Sequence, residues 1–418
     1  MMKKKRLIGG LCVLWISSVL FLLPALAQEK PVKLGVLFIM SGPMGGYGKH
    51  GMQAVQLAVD EINARGGILG RKVEALFEDT KLKADLATQI TKRFILEDKV
   101  DFIIGPTSSG VAVAVSKVVT EHKKILVLTQ AAADSLTGDQ FSRYQFATLS
   151  NAMMHSRAGA IYLASKPYRR WMCIGPNYNY GWDSWAQFKA KLKELRSDVE
   201  FIGELWPKLM EKDFTPFIQK IIEAKPDAVW SPLWGMDAVN FIKQGIPLDL
   251  FNKIKFAFPD GAALETLLPL GKDMPKGIYV AARYFFLTPD TETNRQFVKN
   301  YMDRFKDYPD YMAAETYAGV YFIKAAIERA GTLDTEKLIE AIEKEPLAWE
   351  TPEGWKIMRK EDHAVVEDVV WGETIYSERY GFSILKNMQA IQGEEICRTP
   401  QELKEVRAKY EKKIRGEK

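Results

Sequence analysis

An alternation that runs twice along the chain constrains its fold more than any other feature. Short apolar runs alternate with stretches whose apolar residues keep a helical period, the signature of parallel sheets covered by helices. In the first round, residues 32–40, 73–77, 102–105 and 125–129 read as buried strands. Between them Met52, Val55, Val59 and Ile62 share one helical face, as do Leu86, Ile90 and Phe94, then Val111, Val115 and Val118. Gly66-Gly67 marks the end of the first helix. After about residue 150 the alternation restarts, with strands predicted at 171–175, 200–206, 227–231 and 254–258. Helices are predicted around Trp185-Phe188-Leu192-Leu195 and Phe217-Ile218-Ile221-Ile222.

Two halves of one architecture should share motifs at corresponding places, and they do. Gly42-Pro43-Met44-Gly45-Gly46-Tyr47-Gly48 and Gly175-Pro176-Asn177-Tyr178-Asn179-Tyr180-Gly181 both spell G-P-x-x-x-Y-G after a first strand. The runs from Asp101 to Pro106 and from Asp227 to Pro232 both read D-x-apolar-apolar-x-P. The alternative is chance, since strand-to-helix joints favour Gly and Pro in any protein. Two matches in the same order point instead to two similar α/β lobes. After Gly277 come a strand at 278–282, helices near 294–305, 313–330 and 335–345, then strand-like runs at 355–358, 364–371 and 380–385. The chain is therefore expected to cross between lobes several times. The division expected is residues 28–149 plus 281–345 in an N-terminal lobe and 150–280 plus 346–400 in a C-terminal lobe. A charged tail, 401–418, is expected as a solvated or frayed helix.

Residues 1–27 have the layout of a secretory signal peptide, with a basic start, an apolar stretch from Leu7 to Leu23 and the small-residue site Ala25-Leu26-Ala27. A membrane anchor is the alternative, but Gly9, Gly10, Ser17 and Ser18 dilute the stretch, and cleavage after Ala27 is expected. Cleavage leaves 391 of 418 residues, with 54 Lys and Arg (58 less the four at positions 3–6) against 53 Asp and Glu. So neutral a body argues against nucleic acid as a partner. The expected product is an exported, periplasmic protein. Of three cysteines only Cys173 and Cys397 remain, so burial rather than disulfides must stabilise the core, and whether the two pair is left open.

Several motifs suggest chemistry that their context withdraws. Gly46-Tyr47-Gly48-Lys49-His50-Gly51 is a G-x-G-x-x-G, yet it lies several residues beyond the strand end, with Pro43 between, where a dinucleotide-binding turn is immediate. No P-loop follows, because Gly48-Lys49 is succeeded by His50. The four histidines, His50, His122, His155 and His363, have no ligand-spaced partner, so no metal site and no cofactor are expected. No nucleophile elbow G-x-S-x-G occurs, so an exported hydrolase on a doubly wound α/β fold is kept only as the alternative function.

Binding fits the same residues better. Thr107, Ser108 and Ser109 stand between a strand end and a helix start, where backbone N–H groups and hydroxyls suit a carboxylate. Helix capping by Ser109 is the plainer explanation. The next joint, with Ala131 and Ala132, is adjacent, and neighbouring joints at the carboxyl ends of parallel strands are where open sheets hold ligands. In the second half, Tyr180 and Trp234 lie just past strand ends and are expected to face a cleft. Asp260 follows another strand as a partner for an ammonium or amide, or as a helix N-cap.

These residues resemble one family, the type I periplasmic solute-binding proteins of ABC uptake transporters, which includes leucine/isoleucine/valine-binding and amide-binding proteins. The resemblance covers essentially the mature chain. Its most specific pieces are Ser41-Gly42-Pro43 with Tyr47-Gly48, the run from Asp60 to Gly70 containing Asn63-Ala64-Arg65-Gly66-Gly67-Ile68-Leu69-Gly70, and Ile104-Gly105-Pro106-Thr107-Ser108-Ser109. The resemblance implies two doubly wound lobes joined by three crossovers, closing as a monomer on a small solute and handing it, unreacted, to a membrane permease. It implies that Ser109 holds a ligand carboxylate with Thr107 and Ser108 beside it, that Tyr47 and Tyr180 are cleft tyrosines, and that Asp260 takes the ligand ammonium. Ala132 departs from the pattern, standing where amino-acid binders usually carry Thr or Ser. Ser108 replaces a cysteine of the branched-chain binders, and no cysteine lies near Asp79, so their local disulfide is absent. The solute expected is a small carboxylate-bearing molecule, whether a branched-chain amino acid, an amide or another carboxylic acid.

Overall fold

The computed structural model describes residues 30–414. The expected signal peptide and its cleavage site lie outside the described residues. The first lobe comprises β1 (Val32–Phe38), α1 (Gly45–Ala64), β2 (Val73–Asp79), α2 (Ala84–Leu96), β3 (Phe102–Ile104), α3 (Ser109–Glu121), β4 (Ile125–Leu128) and β5 (Gln145–Ala147). The second comprises α4 (Ala152–Ala164), β6 (Arg170–Ile174), α5 (Asn179–Leu195), β7 (Glu200–Leu205), α6 (Thr215–Ala224), β8 (Ala228–Trp230), α7 (Gly235–Gly245), α8 (Leu250–Lys253), β9 (Lys255–Phe258), α9 (Leu264–Leu270) and β10 (Tyr279–Ala282). The first sheet runs β2-β1-β3-β4-β5, all parallel. In the second, β7-β6-β8-β9-β10 repeats that order, again in parallel. All the carboxyl ends of a sheet therefore lie along one edge, which is where such sheets bind.

The shared motifs do the same work in both lobes. Asp101 Oδ2 accepts from the backbone N–H of Lys33 at the start of β1, and Asp227 Oδ2 accepts from those of Arg169 and Arg170 at the start of β6, all at 2.8 Å. The glycine closing each G-P-x-x-x-Y-G lets a helix approach the preceding loop. A Cβ on Gly48 would sit 1.7 Å from the carbonyl oxygen of Ile39, and one on Gly181 2.2 Å from that of Pro176. The G-x-G-x-x-G of α1 is thus explained by packing, since Gly51 likewise meets the Gln130 side chain at 2.5 Å.

After β10 the chain returns to the first lobe as α10 (Glu292–Phe305), α11 (Tyr311–Ala330), which packs on α1, and α12 (Thr335–Lys344). Next comes a small antiparallel sheet of β11 (Leu347–Thr351), β12 (Gly354–Met358) and β13 (Val365–Val366). It packs on α11, with Trp349 Nε1 donating to Ala318 O at 3.1 Å. Of the segment 346–400, assigned to the second lobe from sequence, residues 347–366 thus lie beside the first. Only β14 (Val369–Ser377) and β15 (Phe382–Ile391) extend the second sheet, both antiparallel. The run 364–371, expected as one strand, is broken at Glu367 and Asp368 because the chain changes lobes there. The crossovers are residues 148–151, 283–291 and 367–368. α13 (Gly393–Ile396) follows β15 and packs on α4.

The tail is more than a solvated helix. In α14 (Pro400–Ile414) Leu403 is buried, Glu402 pairs with Arg157 of the second lobe, and Arg407 stacks 4.4 Å over Phe141 of the first. Cys173 and Cys397 are both free. Among the described residues, no helix is long and apolar enough to cross a membrane.

Candidate functional site

The carboxyl edges of the two sheets face one another across a narrow cleft, whose cavity of about 30 Å³ has room for a few waters. The first lobe contributes Thr107 and Ser109 from the β3–α3 joint and Gln130 and Ala132 from the loop after β4. From the second come Tyr178 and Tyr180 at the start of α5, Trp234 before α7, and Asp260 after β9. Arg283 opens the second crossover, and Tyr311 and Met312 begin α11. The lobes touch directly, since Tyr47 packs edge-on against Trp234 with ring centroids 5.1 Å apart.

Of the residues singled out from sequence, Thr107, Ser109, Ala132, Tyr180, Trp234 and Asp260 line this cavity, whereas Ser108 and Ala131 do not. Tyr47 stands at its edge through Trp234. Ser109 is not the helix cap, for the N-cap of α3 is Ser108, whose side chain makes no capping bond. Instead Ser109 Oγ accepts from Ala133 N at 3.1 Å, which leaves its own proton free to donate. The first N–H groups of α3 have no acceptor within the helix, so this corner favours an anion. Asp260 does not cap α9 either, because that helix begins only at Leu264 behind Ala263.

Gln130 and Tyr178 stand at joints legible in the sequence without having been singled out there, and sequence reasoning missed Tyr311, Met312 and above all Arg283. The signal for Arg283 was present, since a lone charge directly after the apolar run 278–282 stands at a strand's carboxyl end. Its guanidinium is 3% exposed, with Nε 3.8 Å from Asp260 Oδ1, Nη1 3.2 Å from Glu315 Oε2, and the Tyr311 ring 4.1 Å beneath it. Asp260 also accepts a hydrogen bond from Tyr180 Oη. Burial and then the Arg283 charge hold His155 well below the usual histidine range, so it sits neutral beside Asp260.

Tyr47 Oη, Gln130 Oε1, Asp260 Oδ1 and Arg283 Nε and Nη1 are buried and make no hydrogen bond within the protein. Asp260 Oδ1 and the two Arg283 nitrogens face charged partners at 3.2–3.8 Å, whereas Tyr47 Oη and Gln130 Oε1, the latter in the cavity lining, are left without one, at about 1–3 kcal/mol each unless a partner is supplied.

A second buried network lies behind the cleft. Lys356 Nζ donates to Thr148 O of the first crossover at 2.9 Å and to Glu367 of the third, and pairs with Glu353 at 3.1 Å. Burial, followed by nearby carboxylates, pushes Glu315 well above the usual range and Glu353 up to about 8.

Two lobes that close on a buried, polar-cornered cavity at facing sheet edges define a solute-binding clamp rather than a catalytic cleft. The family model for periplasmic binding proteins matches residues 31–374, and the chain belongs to that family. Members bind solutes and are not enzymes, and membership implies a periplasmic location; the exported-hydrolase alternative has no support. Among curated relatives, the Leu/Ile/Val-binding protein BraC3 of Rhizobium johnstonii is 25% identical over 362 residues, 85% of this chain and 91% of its own. Among solved structures, an ABC-transporter solute-binding protein from Rhodopseudomonas palustris in complex with 3,4-dihydroxybenzoic acid has a TM-score of 0.78 at 24% identity, covering 89% of this chain and 99% of that one. An ABC-type branched-chain amino acid transporter structure from the same species has a TM-score of 0.72 at 25% identity, covering 88% and 98%.

Proposed function

We propose that the mature protein, cut after Ala27, works as a monomeric periplasmic receptor that carries a small carboxylic acid lacking an ammonium group to an ABC permease. The observation that carries this is the buried Arg283 facing Asp260 inside the cavity. Asp260 is the carboxylate that an α-ammonium would need, and it is already served by Arg283 and by Tyr180 Oη. A second cation beside a buried guanidinium would meet like-charge repulsion in a low dielectric. Ala132 supplies no hydroxyl for an amino group. In this reading the solute's carboxylate lies at the N-terminus of α3 against Ser109 and Thr107, with the Tyr178, Tyr180 and Trp234 rings as walls suited to an aromatic or aliphatic body. Arg283 and Asp260 meet its far, polar end. The relative in complex with 3,4-dihydroxybenzoic acid supports a hydroxylated aromatic acid; the relatives named for Leu, Ile and Val favour an amino acid, which Arg283 argues against.

The test is to denature the purified protein, identify the released solute by mass spectrometry, and screen benzoate, 4-hydroxybenzoate, leucine and isoleucine by thermal shift. A stabilising aromatic or aliphatic acid with inert amino acids is expected. Stabilisation by leucine but by no simple acid overturns the assignment.

A further inference from the structure

Outside the cavity, one charged cluster joins the lobes. His50 on α1 and Asp310, the N-cap of α11, belong to the first lobe, and Glu265 on α9 to the second. His50 Nδ1 lies 3.3 Å from Asp310 Oδ1, and its Nε2 lies 3.3 Å from Glu265 Oε1. The three side chains are 6%, 1% and 14% exposed. Asp307 approaches His50 Nε2 at 3.9 Å but is itself paired with Lys49 at 2.9 Å, and Tyr301 Oη stands 3.4 Å from Nδ1. Tyr47 adds a neutral phenol on the α1 side.

One imidazolium balances one buried carboxylate, not two. Glu265 Oε2 and Asp310 Oδ2 both lack a hydrogen-bond partner, and the two carboxyls offer oxygens within 4.8 Å of one another. Bringing Glu265 to this pair therefore requires a proton on one of them. We infer that Glu265 is a closure latch, a second-lobe carboxyl that takes up a proton as it docks on the His50–Asp310 pair and so holds the clamp shut without touching the solute.

The titration tendencies agree with the geometry. Burial and then Asp310 push Glu265 well above the usual carboxylate range. Asp310 is raised by burial but held at about 2 by His50 and its hydrogen bonds. Burial disfavours the His50 cation, yet Asp310 and Glu265 outweigh it and raise the ring to about 9. In the open clamp Glu265 returns to solvent and its proton is lost, so closure weakens as pH rises above the ordinary glutamate range. A metal ion fits less well, because the imidazole's two nitrogens address different carboxylates.

The test uses the full mature chain, with closure read by small-angle scattering in the free protein and with 4-hydroxybenzoate present, and binding of that probe titrated separately. Glu265→Gln, an isostere of the protonated acid, should scatter as the unaltered protein does and lose its pH dependence between pH 5 and 8. Glu265→Ala should populate more open forms and release bound probe about tenfold faster. If Glu265→Ala superimposes on the unaltered protein in both conditions, or if Gln opens the clamp as Ala does, the latch is refuted. Opening by a chelator would place a metal there instead and also refute it. Absence of probe binding would count against the proposed solute class while the scattering comparison still decides the latch.

Discussion

Asp260 of the second lobe faces Arg283 of the second crossover at 3.8 Å, with both side chains almost wholly out of solvent. Neither could be buried alone at acceptable cost. Their pairing makes the far end of the cavity electrically balanced, which sets the first prediction. Asp260→Asn should keep affinity for a carboxylic acid within a few fold, whereas a receptor for amino acids would lose its ammonium partner. Arg283→Met should weaken acid binding by about tenfold, the scale of a lost hydrogen bond from a charged donor to the solute's polar end, and lower stability by leaving Asp260 buried without its cation. Calorimetric titration of both variants checks this.

Ser109 supplies the second. Removing its hydroxyl takes a donor from the solute and an acceptor from Ala133 N. Ser109→Ala should therefore bind about tenfold more weakly and lose roughly 1 kcal/mol of stability. Ser108→Ala, outside the cavity and making no capping bond, should do neither.

The glycines of α1 separate packing from function. Gly48→Ala forces a methyl to within 1.7 Å of a backbone carbonyl, which cannot yield without moving β1 or α1. It should lower the melting temperature severely or prevent folding. Gly46→Ala meets only the flexible Glu265 side chain at 3.3 Å and should fold. A folded, stable Gly48→Ala would contradict the close-approach account.

Lys356 ties two crossovers together while neutralising buried acids. Lys356→Met should cost about 3–5 kcal/mol, because Glu367 is left buried without its cation. Urea titration measures the loss, and Lys356→Arg should recover only part of it.

Asp183 gives a pH signature. Burial, and then the charge of Asp134 across the lobes, raises its carboxyl from 3.8 to about 7. A carboxyl that keeps its proton in the folded protein up to about 7 but loses it near 3.8 when unfolded removes stability as pH rises between those values. Asp183→Asn should therefore raise the melting temperature relative to the unaltered protein at pH 8, with little effect at pH 4.

What the chain's own order of residues determined is the repeated α/β architecture and the near side of the cleft. Short apolar runs between helical faces can bury themselves only as covered parallel strands, and the carboxyl ends of such strands converge by topology, so Thr107, Ser109, Ala132, Tyr180, Trp234 and Asp260 were legible from their positions after strand ends. Elements buried on all sides were not. α4, almost wholly buried, shows no helical stripe, and the three-residue β5 is too short to carry a pattern. Only the tertiary structure decided that Arg283 meets Asp260, that Glu265 reaches His50 and Asp310, and that 347–366 packs on α11. These contacts join residues tens to hundreds of positions apart, and which charge neutralises which is settled by three-dimensional burial, to which local periodicity is blind.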